Sequence, residues 1–188
     1  MIDRDQASSA LADITEIARQ VRQSRFYHHA SSMLMLWGVL TFVGYVLSFV
    51  MPPRAGYVWV VVIIAGIAGS ALIGALSRKR AGVNTFNAKA TAAIVVFVAF
   101  GAIWSVGVSH FTPRQLGAFW PSYFMLPYII AGLWLGSAFV AIHSSNHGTA
   151  IIALTLIGYF FAGPWFELWM ALVNGGGLLL GGFWMRRS

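Results

Sequence analysis

The sequence predicts an all-α, polytopic membrane protein whose six transmembrane helices form three antiparallel hairpins. Hydrophobic residues make up 59% of the 188 residues and charged residues only 9%, whereas a soluble domain carries about 25% charged residues. A soluble fold of this length could not hide so much apolar surface. A helix crossing the hydrocarbon core needs about 20 residues. Six apolar stretches follow in order, at 31–51, 57–77, 90–110, 119–142, 149–163 and 168–185.

Residues 1–30 precede this six-helix bundle, which occupies residues 31–188. Apolar residues recur at helical spacing in the first segment, and its acidic residues come before its last arginines. That order of charges suits the dipole of a helix. We therefore predict a cytoplasmic amphipathic helix over about residues 9–25. It either lies on the inner leaflet or the bundle face, or docks a protein partner.

The basic residues predict the orientation of the chain. Placing the six stretches across a membrane puts Arg54 and Arg114 on one side and the other ten of the 12 Lys and Arg residues on the opposite side. Short loops rich in Lys and Arg stay in the cytoplasm. We expect a cell inner membrane protein with both termini cytoplasmic. The pI near 10.4 does not indicate nucleic acid, because no soluble domain carries a basic face.

Several classes of chemistry are excluded by what the sequence lacks. Without any Cys the chain has no disulfide, thiolate zinc site, iron–sulfur cluster or Cys nucleophile. It also contains no phosphate-binding loop, dinucleotide fingerprint, metalloprotease helix or nucleophile elbow. We therefore predict a protein that is not an enzyme and holds no cofactor, with the lipid bilayer as its first partner.

Histidines are the weak candidates for a metal or haem site. The predicted topology places four of them near one membrane face, at His28, His29, His143 and His147. Imidazoles at one depth can ligate haem or a divalent metal. No carboxylate or thiol accompanies them, and 146–148 has the composition of a turn. Polar residues at a membrane interface are the alternative interpretation.

His110 and Glu167 are a candidate polar pair on the opposite side. Glu167 is the only acidic residue after position 16. A carboxylate beside hydrocarbon needs a partner, and either His110 or Arg114 can supply one. The functional interpretation is a proton- or substrate-responsive site, and the alternative is a solvated loop carboxylate.

Ligand-binding candidates lie in the fourth and sixth stretches. Proline inside a helix removes a backbone hydrogen bond and can open a pocket. Pro127 has three aromatic neighbours in the sequence, Tyr123, Tyr128 and Trp134. They either bind an apolar ligand or lipid or belong to the aromatic belt at the membrane interface. Asn174 precedes three glycines, and an amide in hydrocarbon must find a hydrogen bond inside the bundle. Close helix packing or a cavity-lining break both explain this segment.

Small residues four apart predict close helix contacts. They occur in each even-numbered stretch: Ser70 and Gly74, Gly132 and Gly136, and Gly177 and Gly181. Missing side chains let helix backbones approach in a bilayer. Such pairs serve contacts within a chain and between chains alike, so oligomerisation stays an open alternative.

The C-terminal half contains a distinctive set of motifs: Pro127-Tyr128, Gly132-Leu133-Trp134-Leu135, Gly158, Pro164-Trp165, Gly175-Gly176-Gly177 and Arg186-Arg187. In these motifs it resembles a family of small six-span bacterial inner-membrane proteins of uncharacterised function. Genes of this family often lie beside winged-helix regulators, so the resemblance implies a regulated accessory role. It implies no catalytic residues.

Three functions follow from these observations. The first is a non-enzymatic accessory or regulatory membrane protein that uses residues 9–25 and its glycine faces. The second is a small transporter, or a binder of lipid or apolar solute, that uses the kinked fourth span and Asn174. The third is a haem- or metal-binding protein.

Overall fold

The computed structural model describes residues 29–81, 88–134 and 138–187, excluding the side chains of 78–81, 88–90, 128, 131–134 and 138–147. The described residues form helices and short connections, without a strand. This confirms the predicted all-helical class. The helices are α1 His29–Val50, α2 Ala55–Ala81, α3 Ala88–Ala102, α4 Pro113–Trp134, α5 Ala138–Phe161, α6 Phe166–Met170 and α7 Gly177–Arg187. The predicted helix at 9–25 lies outside the described residues.

Four of the described segments are long and apolar enough to cross a membrane. They are His29–Val50, Pro52–Ser77, Thr91–Val108 and Gly163–Arg187. The last two each contain one wide π-helical turn, at Ile103–Val108 and Ala171–Gly176. Gly148–Phe161 is a shorter apolar helix. The chain is therefore compatible with a membrane, and large apolar side chains on α2 and α3 remain on the outside of the bundle.

The fourth and fifth helices differ from the predicted spans. The sequence predicts a connection at 143–148, but these residues lie within α5. Tertiary contact explains why a turn-like sequence stays helical. A Cβ on Gly148 would lie 2.9 Å from Cγ1 of Ile129 and 3.6 Å from the carbonyl oxygen of Met125. Only glycine lets α5 approach α4 so closely, so the expected turn glycine is a packing residue.

Helix α1 lies against α2 through small residues on α2. The ring of Trp37 occupies the space beside Gly66, and the side chain of Leu36 lies beside Gly69. The indole Nε1 of Trp37 donates to Oγ of Ser70 at 3.2 Å. Small residues thus form a groove on α2 for two large side chains of α1, which is a common way for bilayer helices to pack.

Helix α1 also contacts the C-terminal segment, and here the glycines lie on both sides. A Cβ on Gly38 would meet the backbone nitrogen of Leu179 at 2.9 Å, and a Cβ on Gly175 would meet Cα of Phe42 at 2.7 Å. The Ser31 hydroxyl donates to the Gly182 carbonyl at 2.8 Å. Residue numbers rise along one segment as they fall along the other, so these two segments are antiparallel.

The remaining contacts connect α3, α4, α5 and the C-terminal segment. Tyr123 of α4 stacks on Phe97 of α3 at a centroid distance of 4.1 Å. Gly158 of α5 lies directly against the indole of Trp169, whose Nε1 donates to the Leu154 carbonyl at 2.8 Å. Tyr123 and Trp169 thus each combine ring packing with a side-chain hydrogen bond to the backbone of a neighbouring helix.

Candidate functional site

Local sequence positions Arg114 at the start of α4. The amide of Thr112 donates to Oε1 of Gln115 at 2.8 Å, and the amide of Gln115 donates to Oγ1 of Thr112 at 3.3 Å. This reciprocal capping box satisfies two amides that have no partner inside the helix. Pro113 occupies the first helical position, where its missing N–H is harmless. The α4 helix thus begins six residues before the predicted 119, and Arg114 falls in its first turn.

The guanidinium of Arg114 caps the end of α5. Its Nη2 donates to the carbonyl of Tyr159 at 2.6 Å. That carbonyl is in the last turn of α5, where carbonyls lack intrahelical partners and a cation is favoured. The chain then turns through Gly163 with φ of 52°, a conformation that favours glycine. The guanidinium also lies 5.4 Å from the ring centroid of Tyr159 and 5.3 Å from that of Phe166.

Glu167 lies in the same region and completes what we call the Arg114 cluster: Tyr45, Arg114, Tyr159, Phe166 and Glu167. The half-buried carboxyl of Glu167 interacts electrostatically with Arg114 and with the Tyr45 hydroxyl. The sequence offers His110 and Arg114 as partners for this carboxyl, and in the structure it interacts with Arg114. The exposed His110 has a positive φ of 48°, and its Nδ1 lies 3.1 Å from the carbonyl of Val108.

Tyr45 connects α1 to α4 at a position created by a proline. Pro121 has no N–H, so it cannot bond the carbonyl of Gly117 four residues earlier. The hydroxyl of Tyr45 donates to that carbonyl at 2.7 Å. Tyr45 is buried and lies edge-on to Trp59 at a centroid distance of 4.8 Å. Pro121 therefore frees a carbonyl of α4 for a hydrogen bond from α1. The sequence predicts a ligand pocket in α4 and does not predict this helix–helix contact.

Three buried side-chain oxygens have no hydrogen-bond partner among the described residues, and two of them lie in α5 and in the C-terminal segment. These two are Oδ1 of Asn174, a residue 5% exposed, and Oγ1 of Thr155, which is 0% exposed. Asn174 lies in the wide turn Ala171–Gly176, and such π-helical turns are frequent at functional sites. The sequence predicts the inward position of Asn174, but it gives no signal for Thr155.

A third oxygen of this kind belongs to the other wide turn. Ser105 lies in Ile103–Val108 and is buried, and its Oγ has no partner in the described part of the chain. Its backbone carbonyl accepts from the amide of Phe111 at 2.9 Å. Both wide turns thus place a buried polar side chain inside an apolar segment.

The predicted aromatic pocket of α4 is partly filled by its own rings. The Tyr123 hydroxyl donates to the Phe97 carbonyl at 3.0 Å, and its ring also stacks on Phe119 at 5.1 Å. Pro127 is exposed and lies inside an unbroken helical range. The side chains of Tyr128 and Trp134 lie outside the described residues. The ring and the hydroxyl of Tyr123 therefore pack α4 against α3.

The predicted metal residues are described only at His29. Its Nδ1 lies 3.3 Å from Oγ of Ser77. The described residues contain no group of three or more His, Cys, Asp or Glu side chains that can hold a metal ion. His28 and the side chains of His143 and His147 lie outside the described part of the chain, so their role stays a prediction.

The predicted packing residues have different surroundings. Ser70 bonds Trp37, and a Cβ on Gly177 would lie 3.3 Å from Cδ1 of Ile151. Added Cβ atoms on Gly74 and Gly181 would meet nothing within 4 Å. Gly132 and Gly136 lie outside the described side chains. The predicted pairs do not include four other contact glycines: Gly38, Gly101, Gly158 and Gly182. Gly38 and Gly182 have no small residue four positions away, so the spacing rule could not identify them.

Comparison with known proteins adds no relative to these observations. A scan against protein families finds no match, and neither curated proteins nor solved structures match the chain. The resemblance to six-span inner-membrane proteins thus stays a prediction, and the chemistry of the described residues carries the functional argument.

Proposed function

We propose that the chain is a multi-pass protein of a bacterial inner membrane, with six spans in three hairpins and both termini in the cytoplasm. The four long apolar helices support the membrane environment, and the excess of Lys and Arg on one side supports the orientation. In this topology the connection near Ser109 faces away from the cytoplasm.

Because the chain has no Cys, single introduced cysteines test this topology cleanly. Ser109→Cys should react with a membrane-impermeant maleimide in intact cells. Ser188→Cys should react only after the membrane is opened. Reaction of both variants in intact cells, or the reverse pattern, would contradict the orientation.

We further propose a non-enzymatic accessory or regulatory role through lateral contact with a second membrane protein. The observation that carries this role is the surface of α2 and α3. Ile64 is 63% exposed and Val96 is 67% exposed, and only a small part of either helix is buried inside the bundle. Apolar helix faces pointing away from the bundle accept lipid or another membrane helix.

Photocrosslinking in native membranes tests the accessory role. A photoreactive residue at Ile64 or Val96 should give a discrete protein adduct. The same residue at Val62, which is 6% exposed, is the matched control and should react only within the chain. Deletion of residues 1–25 should change the adduct if the N-terminal helix contributes to docking. Lipid adducts alone at both exposed positions would contradict the accessory role.

The second candidate, a transporter or binder of a small solute, is favoured by a separate observation. In the described part of the chain, the side-chain oxygens Oδ1 of Asn174 and Oγ1 of Thr155 lie in apolar helices and have no hydrogen-bond partner. Polar groups in such an environment need a partner. Bound solute would supply one.

A further inference from the structure

The Arg114 cluster holds two opposite charges at one end of the bundle. Arg114 lies in the first turn of α4 and Glu167 in the first turn of α6, and both side chains are half-buried. The turn between α5 and α6 carries exposed rings beside them: Phe160, Phe161 and Trp165. Aromatic residues concentrate where hydrocarbon meets the lipid headgroups, so this end of the bundle is at headgroup depth.

Neither charged group uses all of its hydrogen-bonding capacity. A guanidinium carries five N–H donors. In Arg114, Nη2 donates to the Tyr159 carbonyl and Nε is enclosed by protein. Nη1 has no hydrogen-bond partner among the described residues and is not enclosed. The same holds for both carboxyl oxygens of Glu167 within the described ranges. A charged donor and a charged acceptor are therefore accessible from outside the bundle.

The two charges do not form a direct ion pair. They interact electrostatically, but no nitrogen of Arg114 lies within 4.0 Å of a Glu167 oxygen. The Tyr159 carbonyl fixes the guanidinium, which lies 5.3 Å from the ring centroid of Phe166. Phe166 is 2% exposed, and its burial fixes the backbone from which the next side chain, Glu167, extends. Packing of α4 against α5 and α6 thus keeps the opposite charges apart.

A zwitterion satisfies both groups at once. A guanidinium is well suited to phosphate oxygens, and a primary ammonium donates hydrogen bonds to a carboxylate. A ligand with a phosphate alone would leave Glu167 unpaired beside hydrocarbon and would be repelled by it. A trimethylated ammonium has no N–H to donate. The chemistry therefore favours a phosphate joined to a primary ammonium by a short linker, which is phosphoethanolamine.

We propose that Arg114 and Glu167 form a binding site for the phosphoethanolamine headgroup of a membrane lipid. The phosphate accepts from Nη1 of Arg114, and the ammonium donates to the carboxylate of Glu167. The exposed rings of Phe161 and Trp165 offer apolar surface beside the charges, which favours a lipid over a free headgroup. Only the choice of leaflet rests on the proposed orientation, and the accessory role does not depend on the site.

Native mass spectrometry of the full chain in detergent micelles tests this site. The purified protein is titrated with phosphatidylethanolamine, phosphatidylglycerol or phosphatidylcholine of the same acyl chains, and the dissociation constant of the first bound lipid is measured. Phosphatidylethanolamine should bind about tenfold more tightly than the other two, the effect of one charge-assisted hydrogen bond. Equal binding of the three lipids would overturn the proposal. Micelles have no sides, so this result is independent of the orientation that the maleimide test decides.

The variants separate recognition of the headgroup from general destabilisation. Glu167→Gln keeps the shape and removes the charge, so it should abolish the preference for phosphatidylethanolamine over phosphatidylglycerol. Arg114→Gln should weaken binding of both lipids by about tenfold, because the phosphate contact is lost. Arg54→Gln, at an exposed position, is the matched control and should leave all the constants unchanged.

A change of headgroup preference is a result that a merely destabilised protein does not give. If Arg114→Gln fails to fold, Glu167→Gln decides. An unchanged preference in Glu167→Gln, or the same change in Arg54→Gln, would overturn the proposal. Glycerophosphoethanolamine carries the same charged groups without acyl chains, and it should not displace the bound lipid at equal concentration. Displacement at that concentration would contradict a lipid as the occupant and would identify a soluble zwitterion instead.

Discussion

Replacing Gly175 by alanine should force α1 away from the C-terminal segment. An added Cβ would lie 2.6 Å from Cβ, 2.7 Å from Cα and 2.8 Å from the backbone nitrogen of Phe42. Carbon atoms pack best at about 3.5–4.0 Å, so the two backbones must separate by about 1 Å. A side chain could rotate away from the clash, but the backbone of a packed helix cannot.

The expected cost is about 1–3 kcal/mol, the usual range for an added methyl in a packed site. Alanine also favours the helix over glycine by up to about 1 kcal/mol, which offsets part of this cost. Gly176→Ala is the matched control, because a Cβ there would meet nothing within 4 Å. It receives the same propensity gain without the clash. The difference between the neighbouring variants therefore isolates the helix–helix contact.

The assay is reversible unfolding of the purified protein in mixed micelles, followed by circular dichroism and tryptophan fluorescence. Gly175→Ala should unfold at lower denaturant than the wild type, and Gly176→Ala should unfold at the same or higher denaturant. Equal stability of the two variants would refute the reasoning, because it would mean that α1 does not lie against Gly175.

Three further substitutions test the Arg114 cluster and its surroundings in the same unfolding assay. Tyr45→Phe should lower the free energy of unfolding by about 1–3 kcal/mol, because it leaves a buried helix carbonyl without a donor. Tyr57→Phe, at a position 78% exposed, should change the stability little. Equal effects of the two variants would argue against the hydrogen bond from the Tyr45 hydroxyl. Arg114→Gln should lower the free energy of unfolding by about 1–2 kcal/mol, because the helix cap and the ring contacts are lost. Arg54→Gln, at an exposed position, is the control, and an equal loss of stability in both variants would contradict the role of Arg114. Gly163→Ala should cost about 1 kcal/mol, because φ of 52° is unfavourable for alanine; an unchanged midpoint would contradict that backbone conformation.

The apolar stretches of the sequence predict most of the helical organisation. Apolar stretches long enough to cross the hydrocarbon core occur where the chain forms the helical segments His29–Val50, Pro52–Ser77 and Thr91–Val108. The signal is strong because lipid contact demands apolar side chains and helices satisfy their own backbone. The sequence also contains the signal for the start of α4, since Thr112 and Gln115 have capping-box spacing.

The boundary between α4 and α5 could not be predicted from local residues. Residues 146–148 have turn composition, but Gly148 contacts Ile129 and Met125 from within a helix. Turn propensity is a local quantity of small magnitude, and packing against a neighbouring helix overrides it. The same limit applies to the contact glycines, because a glycine in a helix has no local property that tells whether a partner helix lies against it.

Sequence alone determined the class of the protein: an apolar, cysteine-free, helical chain with its basic residues concentrated on one side of the predicted spans. These properties depend on composition and periodicity, which each segment carries by itself. Tertiary structure alone decided that Tyr45 supplies the hydrogen bond that Pro121 removes, and that Arg114 caps α5. Each of these depends on two segments far apart in the chain, and their relative register is set only when the helices pack.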